Sequence, residues 1–318
     1  MKAKGCGLPC RRCEMDDRYG RTARPDARPG MIRSMVRWLA PLLCLVLVLT
    51  GVAAARLRRR ELADQWEVRP VAITHRGDDS APENSLAAIA NAAADGADYA
   101  EIDVRLTADG TPVVFHDSRT GRLAANGHDV RVSKLTDYEL AHIPMRDRGM
   151  IYHVPTLAQA IETAQRSSDH ISLLLDLKTG AQAAPRLTAA VARVIERHRF
   201  ADRAMLMATN DRAIRLLRTR HPGWTVGKCI SPKGRPAVVW PNGVSFVVMR
   251  GTRLTPEIVR RARRDNVPIY AGVGSDYREA NRCLAMGADG ILGDNTYRVN
   301  KVTRSHAVYV AAGDMTGN

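Results

Sequence analysis

Residues 71–89 read VAITHRGDDSAPENSLAAI. A short β-branched run, Val71 to Thr74, stops at His75, Arg76 and Gly77, and a helical pattern begins near Asn84. Taken alone, a strand that ends in a basic pair is an ordinary turn. The fold depends on whether this strand, loop and helix form one unit of a series.

The series is there. Further short apolar runs lie at Asp98 to Val104, Ile171 to Leu177, Ala204 to Ala208, Thr225 to Ile230, Val244 to Met249, Pro268 to Gly272 and Gly290 to Gly293. Amphipathic stretches separate most of them, near 84–95, 156–167, 185–199, 210–219, 255–265 and 276–286. Thr255 followed by Pro256 reads as an N-cap with proline at the first helical position. Eight strands alternating with helices predict an α/β fold, a (β/α)8 TIM barrel, ahead of an open doubly wound sheet.

A ninth run, TPVVFHD at 111–117, does not fit that ring. Only the turn TADGT separates it from EIDVRL, and parallel neighbours need a crossover of a dozen or more residues, so the pair is expected to be a hairpin. A turn centred on Asp109 and Gly110 sets His116 opposite Asp103. Glu101 shares a side of the strand with Asp103, because side chains alternate with a period of two. On this register Glu101, Asp103 and His116 share one surface.

Active sites of such barrels lie at the C-terminal ends of the strands. There stand His75, the pair Glu101 and Asp103, and Asp176 with Lys178. Each of these, taken singly, is an unremarkable rim residue; their recurrence at one end of three strands is not. Three converging carboxylates repel unless a cation lies among them. An all-oxygen set suits Mg²⁺ or Ca²⁺ rather than zinc.

HRG and PENS, EIDVRLTADGTPVVFHD, DLK and GADGILGD together resemble, in order and spacing over residues 71 to about 300, the glycerophosphodiester phosphodiesterase family. The resemblance implies a barrel that uses a divalent metal to hydrolyse glycerophosphodiesters to an alcohol and glycerol 3-phosphate. It implies that Glu101, Asp103 and Asp176 hold the metal, that His75 and His116 form the acid and base pair, and that Arg76 and Lys178 hold phosphoryl oxygens. Glu83 is expected to orient a neighbouring group and Asn84 to cap the following helix. Gly77 is expected to keep a side chain from crowding the substrate.

The chain departs from the family pattern in two ways. Asp176 stands where the family usually has Glu, and the aromatics the family carries near Gly272 in PIYAGVGSD and where MLMATND stands are missing. A headgroup pocket without those rings loses cation-π recognition of choline. Neighbouring readings are a lysophospholipase D-like hydrolase, an inactive headgroup-binding protein, and an aldolase using Lys178 as a Schiff-base amine.

Charge narrows the partners. The net formal charge is +15, but residues 1–60 carry 14 Lys and Arg against 4 Asp and Glu, so most of the excess lies outside the barrel region. Nucleic acid is therefore not an expected partner; a small phosphodiester or lipid headgroup and a membrane are. Trp38 to Ala55 is an uncharged run of about 27 Å as a helix, about enough to cross a bilayer core. Arg56, Arg58, Arg59 and Arg60 follow at once and favour an uncleaved anchor over a signal sequence. Ten Lys and Arg precede the run from Met1, which places the catalytic portion outside the cytoplasm. From Met31 only Arg33 and Arg37 do, and the orientation reverses.

The expected organisation is a basic tail at 1–34, a transmembrane segment at 35–55, a linker at 56–70, the barrel at 71–302 and a tail at 303–318. Cys6, Cys10 and Cys13 lack a fourth metal ligand nearby, Cys44 lies in the apolar run, and Cys229 and Cys283 read as buried apolar residues.

Overall fold

The computed structural model describes residues 46–48, 50–51, 65–230 and 238–311. The chain divides into two compact units, Met1–Gln65 and Trp66–Asn318, and the barrel lies in the second. In the first, residues 46–48 and 50–51 are helical and Gln65 begins a short strand. Most of the apolar run Trp38 to Ala55 lies outside the described residues, and among the described residues no helix is long and apolar enough to cross a membrane.

Eight parallel strands close a ring: β1 (Val71–Thr74), β2 (Tyr99–Leu106), β3 (Ser172–Leu177), β4 (Ala204–Ala208), β5 (Thr225–Cys229), β6 (Val247–Arg250), β7 (Ile269–Gly274) and β8 (Gly290–Gly293). Each pairs with its chain neighbours, and β8 pairs with β1 to complete the barrel expected from the sequence. The strands read as apolar runs because both faces are covered. Outward residues such as Ile102, Val104, Leu173, Leu175 and Leu206 join the layer under the helices. Inward residues Ile73, Leu174, Met205, Met207, Phe246, Val248, Tyr270 and Leu292 fill the barrel.

Among the described residues the helices around the barrel are α1 (Leu86–Ala94), α2 (Leu157–Ser167), α3 (Ala184–Arg197), α4 (Asp211–Arg220), α5 (Pro256–Asp265), α6 (Tyr277–Met286) and α7 (Thr296–Ser305), and a short helix, Asp137–Ala141, lies in the segment between β2 and α2. Most strand-to-helix joints carry a side-chain cap, from Ser85, Thr156, Asn210, Thr255, Asp276 and Asn295. Thr255 and Pro256 play the parts expected of them. Asn84 does not: the residue capping α1 is Ser85, whose hydroxyl accepts from the Ala88 N–H. α7 carries regular structure past residue 302, and beyond it Val308–Ala311 pairs with Gln65–Val68.

Between β2 and α2 the chain inserts a small layer. The short strand Pro112–Val114 pairs antiparallel with β2, so the hairpin forms as expected, but its register is one residue off. Val104 faces Val114, and the Phe115 N–H donates to the Asp103 carbonyl, so Phe115 rather than His116 lies opposite Asp103. The cause is packing. Val113 and Phe115 are drawn into a separate apolar cluster with Leu123, Val132, Leu140, Ile143, Met145 and Val154, and a one-residue slip would expose that whole face.

Candidate active site

The alternation that fills the barrel also aims its polar ends. Inward Ile73 is followed two residues on by His75, Tyr99 by Glu101 and Asp103, and Leu174 by Asp176 and Lys178. The β2–β3 register sets Asp103 directly beside Asp176. Glu101, Asp103 and Asp176 therefore converge, with one carboxylate oxygen from each lying within 4.8 Å of the others, at 2%, 1% and 3% exposure.

Three buried carboxylates need compensation. Asp103 receives most of it. Its Oδ2 accepts from Asn84 Nδ2 at 2.8 Å, its own N–H donates to Asn84 Oδ1 at 3.0 Å, and Lys178 Nζ lies 2.8 Å from Oδ1. Burial works to raise its pKa, yet Lys178, His116 and Arg76 hold it below the usual carboxylate range. Glu101 accepts the Arg76 N–H at 2.9 Å, but burial and the charge on Asp103 push its pKa up to about 7. Asp176 is also raised, by burial first, despite a short contact with Lys178. Its Oδ1 is buried without a hydrogen-bond partner.

A divalent cation fits these residues. The donors are all oxygen, they converge, and the orphaned Asp176 Oδ1 is the kind of buried acceptor that a bound ion satisfies. Lys178, expected to reach a phosphoryl oxygen, here bridges Asp103 and Asp176. Burial opposes its charge, but the carboxylates around it outweigh that and raise its pKa. A Schiff-base amine must lose its proton, so this environment argues against the aldolase reading.

Each histidine is held by a carboxylate. His75 Nδ1 lies 2.9 Å from Asp294 Oδ1, and Ser275 Oγ donates to the other Asp294 oxygen at 3.0 Å. His116 Nδ1 lies 2.6 Å from Asp117 Oδ1, and Arg122 braces Asp117. Both carboxylates have lowered pKa values and can only accept, so both Nδ1 atoms carry the hydrogen and both Nε2 atoms are left for chemistry. Burial lowers the pKa of His75, but Asp294 and Glu101 more than offset it and the net shift is upward. For His116 burial prevails over Asp103 and Asp117, and the shift is downward. Sequence reasoning missed Asp294 as a partner. The signal was available, since GILGD ends β8 in a polar residue as the other rim strands do.

His116 reaches the site from beyond the end of its short strand rather than by facing Asp103, and its carbonyl accepts twice from Arg105. Asn84, buried at φ 59°, is a bidentate holder of Asp103. Glu83 orients Arg76, accepting from Nη1 at 2.9 Å, while Arg122 braces Glu83 in turn. Arg76 Nε lies 3.4 Å from Asp103 Oδ2.

Arg76 and Gly77 both adopt left-handed backbone, at φ 59° and 79°. Only glycine suits the second position, because a Cβ there would lie 2.6 Å from the Ala88 Cβ. The glycine at 77 is therefore demanded by α1.

His75, Arg76, Glu101, His116, Asp176 and Lys178 line one side of a cleft of about 680 Å³ at the barrel mouth, a size suited to a small ligand. Among the described residues its lining contains no Phe, Tyr or Trp, which accords with the missing aromatic positions. Cys229 lines it as well; Cys229 and Cys283 are both free.

Known proteins resemble this chain in sequence and fold. A glycerophosphodiester phosphodiesterase of Caldanaerobacter subterraneus is 24% identical over 242 residues, covering 72% of this chain and 95% of that protein. The structure of an Oleispira antarctica phosphodiesterase in complex with the product sn-glycerol-3-phosphate superposes with a TM-score of 0.65 at 24% identity, over 74% of this chain and 96% of that one. A glycerophosphodiester phosphodiesterase from Parabacteroides distasonis gives 0.64 at 20% identity, over 75% and 98%. The model of the glycerophosphoryl diester phosphodiesterase family matches residues 75–298, from the rim histidine of β1 into α7, and the chain belongs to that family.

Proposed function

We infer that the protein is a phosphoric diester hydrolase that cleaves glycerophosphodiesters to an alcohol and glycerol 3-phosphate with the help of a divalent cation. One observation carries the reading: two histidines, each fixed by its own carboxylate, flank three buried carboxylates in a single cleft.

The environments of the two histidines divide the labour. His116, with its pKa lowered, is neutral near pH 7 and removes the proton of the attacking hydroxyl through Nε2. His75, with its pKa raised, keeps its proton longer and delivers it from Nε2 to the departing oxygen. Arg76, anchored by Glu83, offers positive charge to the phosphoryl oxygens, as does Lys178. Glu101, Asp103 and Asp176 would hold Mg²⁺ or Ca²⁺, which supplies charge stabilisation for a phosphoryl group when bound. Asn84 keeps Asp103 oriented for that role.

The family's substrates derive from membrane lipids. The apolar run Trp38 to Ala55 supports an anchored enzyme, and the ten basic residues preceding it from Met1 support a catalytic unit outside the cytoplasm.

The test is to assay the full chain in detergent against a glycerophosphodiester panel, with Mg²⁺ or Ca²⁺ and with chelator. Release of glycerol 3-phosphate that the chelator abolishes is expected; no release from any panel member by a folded protein removes the hydrolase reading. A topology reporter at the C-terminus tests the side of the membrane.

A further inference from the structure

The ring order sets β6 opposite β2, four strands away in either direction, so the cleft has two unlike halves. The β1–β3 half holds the carboxylates and histidines. In the β6–β7 half the inward positions after Tyr270 are Gly272 and Gly274, which bring no side chain into the mouth. A Cβ at Gly272 would make only ordinary contacts, 3.5 Å and 3.7 Å away. The room left there is bordered by Arg250, Thr252 and Asp276.

Arg250 follows inward Val248 by two residues, is exposed, and has no hydrogen-bond or ion-pair partner among the described residues. Asp276 spends Oδ1 on the N–H groups of Arg278 and Glu279, and its Oδ2 has no protein partner among the described residues. Glu279 is neutralised by Arg282, which also donates to the Gly251 carbonyl at 2.7 Å and so braces the loop carrying Arg250 and Thr252. This half thus offers one free guanidinium, one free carboxylate oxygen and a hydroxyl, with no aromatic face.

We propose that the β6–β7 half seats the leaving alcohol and selects a headgroup carrying both an anionic group and a hydrogen-bonding ammonium, as serine does, over the quaternary ammonium of choline. Arg250 pairs with the anionic group and Asp276 with the ammonium. Choline has no N–H to donate to Asp276 and finds no ring for cation-π contact. The inference rests on the hydrolase reading. In the reaction the phosphorus–oxygen bond to the headgroup breaks; water supplies the oxygen that glycerol 3-phosphate keeps and the proton that the departing alcohol takes.

The experiment compares kcat/KM of the full chain for glycerophosphoserine, glycerophosphoethanolamine and glycerophosphocholine, in the native protein and in Arg250→Gln and Arg250→Glu. The native protein is expected to favour the serine diester over the choline diester by about fivefold or more, the scale of one solvent-accessible ion pair. Arg250→Gln lowers the serine-to-ethanolamine ratio by about fivefold, and Arg250→Glu lowers it further. A native preference for the choline diester, or ratios unmoved by both substitutions in folded variants, overturns the proposal. Failure to cleave any of the three by the native protein overturns the hydrolase reading itself, a separate result.

Discussion

The two halves of the barrel mouth are built on different terms. On the β1–β3 side most charged groups are paired: Asn84 and Lys178 on Asp103, Glu83 and Arg122 behind Arg76, and a carboxylate behind each histidine. On the β6–β7 side glycines leave space, and Arg250 stands alone among the described residues. Reaction chemistry needs side chains held in one geometry. Substrate choice needs only room and a few unsatisfied groups, so the second half can change without disturbing the first.

The sharpest way to break this contrast is at the histidines. His75→Ala and His116→Ala are each expected to lower kcat by about 10²- to 10⁴-fold with the fold intact by circular dichroism. Either variant retaining more than a tenth of native turnover would remove that histidine from proton transfer.

The glycines come next. Gly77→Ala places a Cβ against Ala88 at φ 79°, and is expected to cost about 1–3 kcal/mol in denaturant unfolding. Equal stability of that variant and the native chain would show that the β1 loop is not tightly built.

The pH profile should then separate the histidines. The acid limb of kcat/KM reports His116, because the base is lost as pH falls through its pKa; the alkaline limb reports His75, because the acid is lost as pH rises through its own. Asp294→Asn removes a group that raises His75 and moves the alkaline limb down, while Asp117→Asn moves the acid limb down. Movement of the opposite limb in either variant would reverse the assignment.

The smallest effect is expected at Gly272→Ala, less than about 0.5 kcal/mol in stability, since its Cβ meets only ordinary contacts. A large loss there would mean that the open half is packed after all.

What was legible in the sequence follows from these terms. The eight strands showed because strands buried on both faces must be apolar throughout, and the carboxylates showed because they interrupt that rule at one end. The hairpin was visible from its short turn, but its register was not. Val113 and Phe115 pack into an apolar cluster assembled from residues up to Val154, and no local spacing records that. Asn84 was misread for a related reason. An Asn just ahead of a helix is a good cap on propensity alone, and only the approach of β2 reveals that its amide is taken by Asp103 while Ser85 does the capping. Asp117 stood beside its histidine in the sequence, whereas Asp294 could be matched to His75 only once β8 had closed on β1.

That closure has a consequence in time. His75 and Asp294 are 219 residues apart, and Asp78 accepts the Thr296 N–H across 218. A chain leaving the ribosome from its N-terminus has its three carboxylates once β3 has emerged, yet His75 lacks its partner until the residue after β8 is made. A chain cut short between residues 176 and 294 therefore carries all three carboxylates without the residue that holds His75.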